Sequence, residues 1–252
     1  MQHIFGSGIL WGTPLTDANG VAITNPTPIQ FGVLQDVSVE VSAENKMLHG
    51  QNQFPIDVAR GKGKVTCKAK NALVNGALIN SIYFGQTVVA NHTKDFYDTT
   101  GTAIPATPFQ ITITPPGGGT FGQDLGVRDQ TGRQYTRVAS GPTTGQYSLS
   151  GAVYTFAAAD QGIKVFIDYQ YTVTEAIAKQ STVLNLPMGY APEFRADLSN
   201  PYKGKHLTLI LFKCIASKLA IATKLDDFAI PEFDFDAFAD GSGQVLKWAV
   251  SE

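Results

Sequence analysis

The sequence contains few charged residues. Asp, Glu, Lys and Arg together make up 16% of the 252 residues, whereas a typical soluble domain has about 25%. A chain with so little charge has little to keep it monomeric, so we expect extensive contacts with partner proteins. Its 19 basic residues are balanced by 21 acidic ones. This balance argues against a dedicated nucleic-acid-binding protein that neutralises phosphates.

Cysteines and long apolar runs are also scarce. Cys67 and Cys214 each lie in a strand-like segment, and they are interpreted either as two buried free thiols or as one disulfide. No apolar run approaches the roughly 18 residues that a membrane span needs. The first twenty residues lack the basic region of a secretory signal. We therefore expect a soluble intracellular protein that has no membrane partner.

Motifs for metal binding or catalysis are missing as well. The four histidines, His3, His49, His92 and His206, are scattered and stand at no metal-ligand spacing. A calcium loop starting at Asp236 fails, because Lys247 stands where a bidentate Glu is required. No nucleophile elbow or phosphate-binding loop is present. The sequence therefore predicts no catalytic residue, no metal site and no cofactor.

The chain is rich in segments in which polar and apolar residues alternate. Such alternation is typical of β-strands that bury one face, and the chain is long enough for one large β domain or two smaller ones. We predict strands within residues 33–42, 64–69, 109–113, 134–139, 146–156, 163–173, 207–214, 232–236 and 244–250. A single helix is predicted near residues 71–84, with Asn71 as its N-cap and Gly85 as its C-cap.

Changes in composition indicate the domain organisation. Residues 92–108 are rich in Thr, Asp and Pro, and short strands separated by turn sequences follow them. We predict a core β domain formed by residues 1–91 together with 176–252, and an inserted β domain over residues 92–175. Within the core domain, residues 1–29 are expected to form an arm. Residues 42–53 are expected to form a polar loop that is long for a hairpin.

The segment Glu232–Asp236 alternates strictly between acidic and aromatic residues. On a strand, Phe233 and Phe235 would share one face, while Glu232, Asp234 and Asp236 would form a row on the other. Like charges in such a row repel each other and do not stabilise the fold. One interpretation is a wall with a dry rear face and a negative front. The alternative is the solvated outer face of an ordinary sandwich strand.

Several segments together resemble the tail tube, or major tail, proteins of long-tailed bacteriophages. The segments are residues 31–41 with 46–50 and 54–58, the strand and helix of residues 63–85, and the strand with its Asp-Gly turn at 233–245. They cover about half of the chain. A fourth segment, residues 145–160, resembles β modules of virion structural proteins. The departure from the family pattern is the segment near 92–175.

The resemblance implies a mainly β fold, a tail-tube-like sandwich or barrel with one flanking helix and an inserted β-sandwich-like domain. It implies a non-enzymatic virion protein, assembled in the bacterial cytoplasm, whose hexameric rings stack into a tube that conducts DNA. Its partners would be other copies of itself and the tape measure, tail terminator and distal tail proteins. Glu232, Asp234 and Asp236 would face the lumen. Glu44, Asn45, Lys46, Met47, Leu48 and His49 would form an inter-ring loop.

Other classes of function remain open. A β-sandwich binding module, such as an adhesin or a carbohydrate-binding domain, would need exposed aromatic side chains, and Tyr135, Tyr147 and Tyr154 are the candidates. Buried packing between strands is the simpler explanation of these tyrosines. Another virion decoration protein is a further alternative. A glycan hydrolase would use Glu232 or Asp236 as its acid or base.

Overall fold

The computed structural model describes residues 3–251 and is mainly β, as predicted. One helical segment covers Gly76–Phe84, and two short 3-10 turns lie at Pro116–Gly118 and Ala158–Asp160. The described residues form sixteen strands: β1 (Ile9–Pro14), β2 (Ile29–Gln30), β3 (Leu34–His49), β4 (Pro55–Asn71), β5 (Asn91–Phe96), β6 (Thr102–Ala103), β7 (Gln110–Thr112), β8 (Thr120–Asp129), β9 (Thr136–Val138), β10 (Gln146–Ser150), β11 (Val153–Phe156), β12 (Lys164–Thr174), β13 (Glu193–Tyr202), β14 (Lys205–Ala220), β15 (Glu232–Ala237) and β16 (Leu246–Val250).

The chain divides into two compact units. The first unit runs to Thr87 and resumes at Ser181, and the second is Val88–Gln180. The two ends of the second unit are joined, because Val89 and Gln180 exchange both of their backbone hydrogen bonds. Residues 88–180 are therefore an insertion whose two ends are held together by a β-bridge.

The first unit is built on one antiparallel sheet. Its strand order is β2-β1-β13-β14-β15-β4-β3, and β16 also pairs with β14. Strand β1 lies between β2 and β13, so residues 9–14 belong to the chain's own sheet. An arm was expected over residues 1–29, but residues 9–14 are instead a strand of this sheet. Met1 and Gln2 lie outside the described residues.

The core of the first unit lies on one face of this sheet. Phe233 and Phe235 of β15 are each 2% exposed and pack with Phe31 and Phe194. Complete burial of each ring contributes about 2–3 kcal/mol relative to an exposed one. Leu78 and Ile82 of the helical segment join the same cluster. The aromatic side of the 232–236 segment is therefore buried, as the alternation predicted.

The helical segment begins later than predicted. Asn71 is the last residue of β4, and its side chain donates to the carbonyl oxygen of Phe31 and accepts from the Leu73 backbone N–H. Asn75 is the true N-cap, and its side chain accepts from the N–H groups of Ala77 and Leu78. Gly85 ends the segment in the left-handed conformation, as expected. Most of the helix, residues 79–84, is a π-helix.

The predicted polar loop over residues 42–53 is not a loop. Strand β3 continues to His49, and β4 begins at Pro55 and runs without a break through Gly61 and Gly63. The two strands pair from Leu34↔Asn71 to His49↔Pro55. The backbone hydrogen bonds of the segment are thus satisfied by a ladder, although its side chains gain little burial. The turn occupies only residues 50–54.

The second unit contains two four-stranded sheets. One has the order β7-β11-β10-β9, and in the other β12 pairs with β5, β6 and β8. Side chains from both sheets share one buried core. Tyr135, Tyr147 and Tyr154 belong to this core and are 7%, 3% and 0% exposed. They therefore do not form an exposed aromatic platform.

Both cysteines are buried and free, which confirms the first interpretation and excludes the disulfide. Burial raises the pKa of the Cys67 thiol to about 12, and the nearby Asp236 carboxylate adds to this rise. Burial raises the pKa of Cys214 in the same way. A thiol held in its neutral form is a poor nucleophile, so these two residues act as small core side chains.

Asp98 stabilises a turn of the second unit, and its removal is expected to have a pH-dependent effect. The side chain is 8% exposed and accepts from the backbone N–H groups of Thr100, Gly101 and Ile167. Burial by itself would raise its pKa, but these hydrogen bonds outweigh burial and lower the pKa below 3.8. A carboxyl group whose pKa is lowered by folding stabilises the fold above its unfolded pKa, and this contribution is lost as the pH falls through the folded value.

We therefore expect Asp98→Asn to lower the free energy of unfolding of this unit by about 1–3 kcal/mol at pH 7. The difference should shrink steadily below about pH 4. This difference in unfolding free energy can be measured by hydrogen exchange in the full chain, followed in peptides from residues 88–180. The exposed Asp95 provides the matched control, and Asp95→Asn should have little effect. Equal losses in both variants, or a loss that is unchanged at pH 3, would contradict this assignment.

Candidate assembly surface

The outer edge of β3 is open. This sixteen-residue strand pairs with β4 along its length, and in the described part of the chain no strand pairs with its other side. A long exposed edge offers unpaired N–H and C=O groups, and it pairs readily with another chain unless it is covered, charged or kinked. The opposite end of the sheet is β2, which has only two residues. Among the described residues, the outer edge of β3 is therefore the longest open margin of the first unit.

The ends of β3 and β4 project beyond the remainder of the sheet. Pairing of β4 with β15 stops at Val65↔Ala237, and residues 43–63 pair only with each other; we call them the distal hairpin. Its apolar side chains are largely in solvent: Met47, Leu48, Phe54, Ile56 and Val58 are between 52% and 80% exposed. Burying each of these would contribute about 1.5–3 kcal/mol. Such a surface is typical of a protein contact site.

Six residues predicted for an inter-ring loop lie on this hairpin. Glu44, Asn45, Lys46, Met47, Leu48 and His49 all belong to the second half of β3, and all are exposed. They are thus held on a paired strand instead of in a flexible connection. The sequence indicates an edge-like strand at residues 54–58, because Pro55 lacks a donor for the ladder. The need of that segment for a partner strand is the signal that could have revealed the second half of β3.

The acidic row of β15 is at the sheet surface but is not a purely negative wall. Lys70 Nζ lies 3.3 Å from Glu232 Oε1, and Lys218 Nζ lies 3.3 Å from Glu232 Oε2. Lys64 Nζ lies 3.6 Å from Asp236 Oδ1. Strand β4 contributes Lys64, Lys68 and Lys70 to the same face, and β14 contributes Lys218. The expectation of a negative front is therefore corrected to a face of mixed charge.

The charges of this face nearly cancel. Around the acidic row, five carboxylates face four lysines, which is an excess of one negative charge; Lys213 of β14 pairs with Glu193 of β13, and these two opposite charges are left out of the count. The carboxylates are Asp36, Glu40, Glu232, Asp234 and Asp236; the lysines are Lys64, Lys68, Lys70 and Lys218. We call this surface the charged face. Ion pairs as exposed as these contribute at most about 1 kcal/mol each to the free energy of unfolding. The main effect of the arrangement is therefore on the electrostatic potential of this surface.

The protonation of Glu232 bears on the hydrolase alternative. Hydrogen bonding and charge interaction with Lys218 and Lys70 lower its pKa below the usual value. The general acid of a glycan hydrolase needs a raised pKa so that it holds a proton near neutral pH. The pKa of Glu232 is lowered, which is the opposite of what a general acid requires.

The other side chains that could bind a metal ion or take part in catalysis lie apart from one another. Among the described residues, no group of three or more His, Cys, Asp or Glu side chains is close enough together to hold a metal ion. His92 lies 3.3 Å from Glu175 in the second unit, while His49 and His206 are on separate strands of the first. Within residues 3–251, no helix is long and apolar enough to cross a membrane.

The sequence was compared with protein-family models and with curated proteins. No family model matches the chain, and no curated protein is significantly similar to it.

Proposed function

We propose that this protein is a virion structural protein whose copies form hexameric rings that stack into the tail tube of a long-tailed bacteriophage. The observation that carries the proposal is the open edge of β3 together with the distal hairpin. The fold presents a long strand margin and a projecting apolar hairpin, and another copy of the chain would satisfy both. The resemblance to tail tube proteins, carried by residues 31–41 with 46–50 and 54–58, by residues 63–85 and by residues 233–245, is the reason for proposing stacked hexameric rings rather than another assembly.

Ring closure would remove the open margin. If β3 pairs with the neighbouring subunit, the sheet continues around the ring and no long edge remains for uncontrolled aggregation. Each new backbone hydrogen bond contributes about 0.5–1.5 kcal/mol net, so even half of a sixteen-residue strand supplies several kcal/mol per contact. Rings are favoured over open chains because a closed ring leaves no unpaired margin.

The charged face is suited to the lumen of a DNA conduit. DNA must pass through it without being held, so the surface should neither concentrate positive charge nor repel phosphate strongly. One net negative charge per subunit, distributed among ion pairs, meets that requirement. Lysines that are already paired with carboxylates have less tendency to release counterions from DNA.

Sedimentation and negative-stain electron microscopy of the purified full chain test this proposal. We expect particles much larger than the 27.0 kDa chain, seen as rings in end view and as tubes at high protein concentration. A second experiment at high salt should leave the particles intact, because backbone pairing and apolar burial are screened little by salt. A single 27 kDa species at all concentrations would refute the proposal.

A further inference from the structure

A groove opens in the first unit where its sheet divides. Strands β15 and β16 both pair with the same edge of β14, one following the other along it. Strand β15 keeps its pairing with β4 as far as Val65. Beyond that point β4 and β16 separate, and an open groove of about 850 Å³ lies between them. The groove thus lies where backbone hydrogen bonds between β4 and β16 would otherwise continue the sheet.

The groove has an apolar floor and a positive rim. Phe212, Phe238, Val245 and Trp248 contribute the apolar surface, and Trp248 is 68% exposed. Arg60, Lys64 and Lys247 line the rim, which contains no carboxylate. Lys64 pairs with Asp236, whereas within residues 3–251 neither Arg60 nor Lys247 has a salt-bridge partner. An occupant that combines large apolar side chains with negative charge would complement this groove.

The same chain exposes a segment with those properties. The connection between β14 and β15, residues 221–231, holds Leu225 and Phe228, which are 98% and 87% exposed. Asp226 and Asp227 lie between them in the sequence, and Lys224 pairs with Asp227. We call this segment the acidic loop. A Leu and a Phe with nearly complete exposure only three positions apart mark a contact site that is unoccupied in the single chain.

The groove and the acidic loop lie at opposite ends of β15. The acidic loop leads into Glu232 at the start of the strand, whereas Ala237 at its end is part of the groove wall. Six residues of extended strand span about 20 Å, and residues 221–231 are fixed at one end by the bond from the Asn71 N–H to the Pro231 carbonyl. The acidic loop therefore does not reach the groove of its own chain.

We propose that the acidic loop of one copy binds in the groove of the next copy. Leu225 and Phe228 contact the apolar floor, and the carboxylates of Asp226 and Asp227 face Arg60 and Lys247. Because the two surfaces lie at opposite ends of one strand, the contact is head-to-tail and repeats along the strand direction. It rests on the proposed function and assigns to this pair of surfaces the contact between successive rings, distinct from the β3 edge within a ring.

Charge reversal and charge exchange in the full chain test the contact. Asp226→Lys with Asp227→Lys, and separately Arg60→Glu with Lys247→Glu, should each reduce the yield of sedimenting tubes at least about tenfold at low salt. The four-residue exchange has the net charge of the original chain and should restore most of the yield. Asp95→Lys with Glu175→Lys, at two positions of the second unit, changes the net charge by the same four units as the reversal of Asp226 and Asp227 and controls for charge alone. Circular dichroism establishes that each variant is folded.

An independent variant removes the apolar part of the contact. Leu225→Ser with Phe228→Ser should shorten the tubes and leave single rings, at both low and high salt. The loop–groove contact would be overturned if the folded charge-reversal variants formed full-length tubes. It would also be overturned if the four-residue charge exchange did not restore the yield of tubes. Failure of the unmodified chain to form any ring or tube would instead contradict the proposed function, so the two failures are distinguishable.

Discussion

Replacement of residues 44–62 by an Asn-Gly turn is expected to yield a folded protomer that no longer forms tubes. Ala43 and Gly63 are directly paired, and Asn-Gly is the preferred two-residue connection for such a pair. The deleted part pairs only with itself and contributes no residue to the buried core. The thermal stability of the protomer should therefore change little, whereas the apolar surface proposed to drive assembly is lost together with Arg60 of the groove rim.

Electron microscopy and sedimentation measure the loss of tubes, and circular dichroism measures the retained fold. A finer variant, Phe54→Ser with Ile56→Ser, keeps the hairpin but removes two of its exposed apolar side chains. Lys46→Ser with Asp57→Ser is the matched control at polar positions of the same hairpin, and it should assemble. Normal tubes from the turn replacement would show that the distal hairpin plays no part in assembly.

Neutralising the acidic row should convert the charged face into one that holds DNA. In the variant Glu232→Gln, Asp234→Asn, Asp236→Asn, four lysines face only Asp36 and Glu40, so the face changes from one negative to two positive charges per subunit. In the proposed ring of six subunits, this change of charge would occur six times. Lys64, Lys70 and Lys218 lose their carboxylate partners and become free to displace counterions from phosphate.

Retention of labelled double-stranded DNA by sedimented tubes measures this effect. We expect the variant to retain DNA at low salt, with an affinity that falls steeply as salt is raised, while the unmodified tubes retain little. Asp17→Asn, Asp95→Asn and Glu175→Gln together remove three charges outside the charged face and provide the control. Equal retention by the control and the variant would mean that this face does not line the conduit.

The sequence predicted strands well where one face is buried. Strand β15 was located correctly because Phe233 and Phe235 alternate with acids, and β12 because Val165, Ile167 and Tyr169 repeat every second residue. Strand β13 was missed, since its inward side combines Phe194 with the small Ala196 and the polar Asn200. Because of this mixture, large apolar residues do not recur at every second position, and the alternation that marks a strand is weak.

The distal hairpin and the charged face could not be predicted from the residue pattern of any single strand. Residues 43–63 form strands without a buried face, and the polar composition of residues 42–53 therefore resembled that of a loop. The acidic row was visible in Glu232–Asp236, but the compensating lysines come from β4 and β14, which become its neighbours only through the topology of the sheet. The groove depends on the same topology, because its walls are far apart in the sequence.

The central claim is that the margin of β3 is completed by another copy of the chain. An averaged electron-microscopy reconstruction of the purified assembly tests this most directly, at a resolution that separates strands. The account predicts six subunits per ring, stacked rings, and β3 hydrogen-bonded to a strand of the adjacent subunit. A dispersed single chain at high concentration, or an assembly in which β3 remains unpaired, would contradict it.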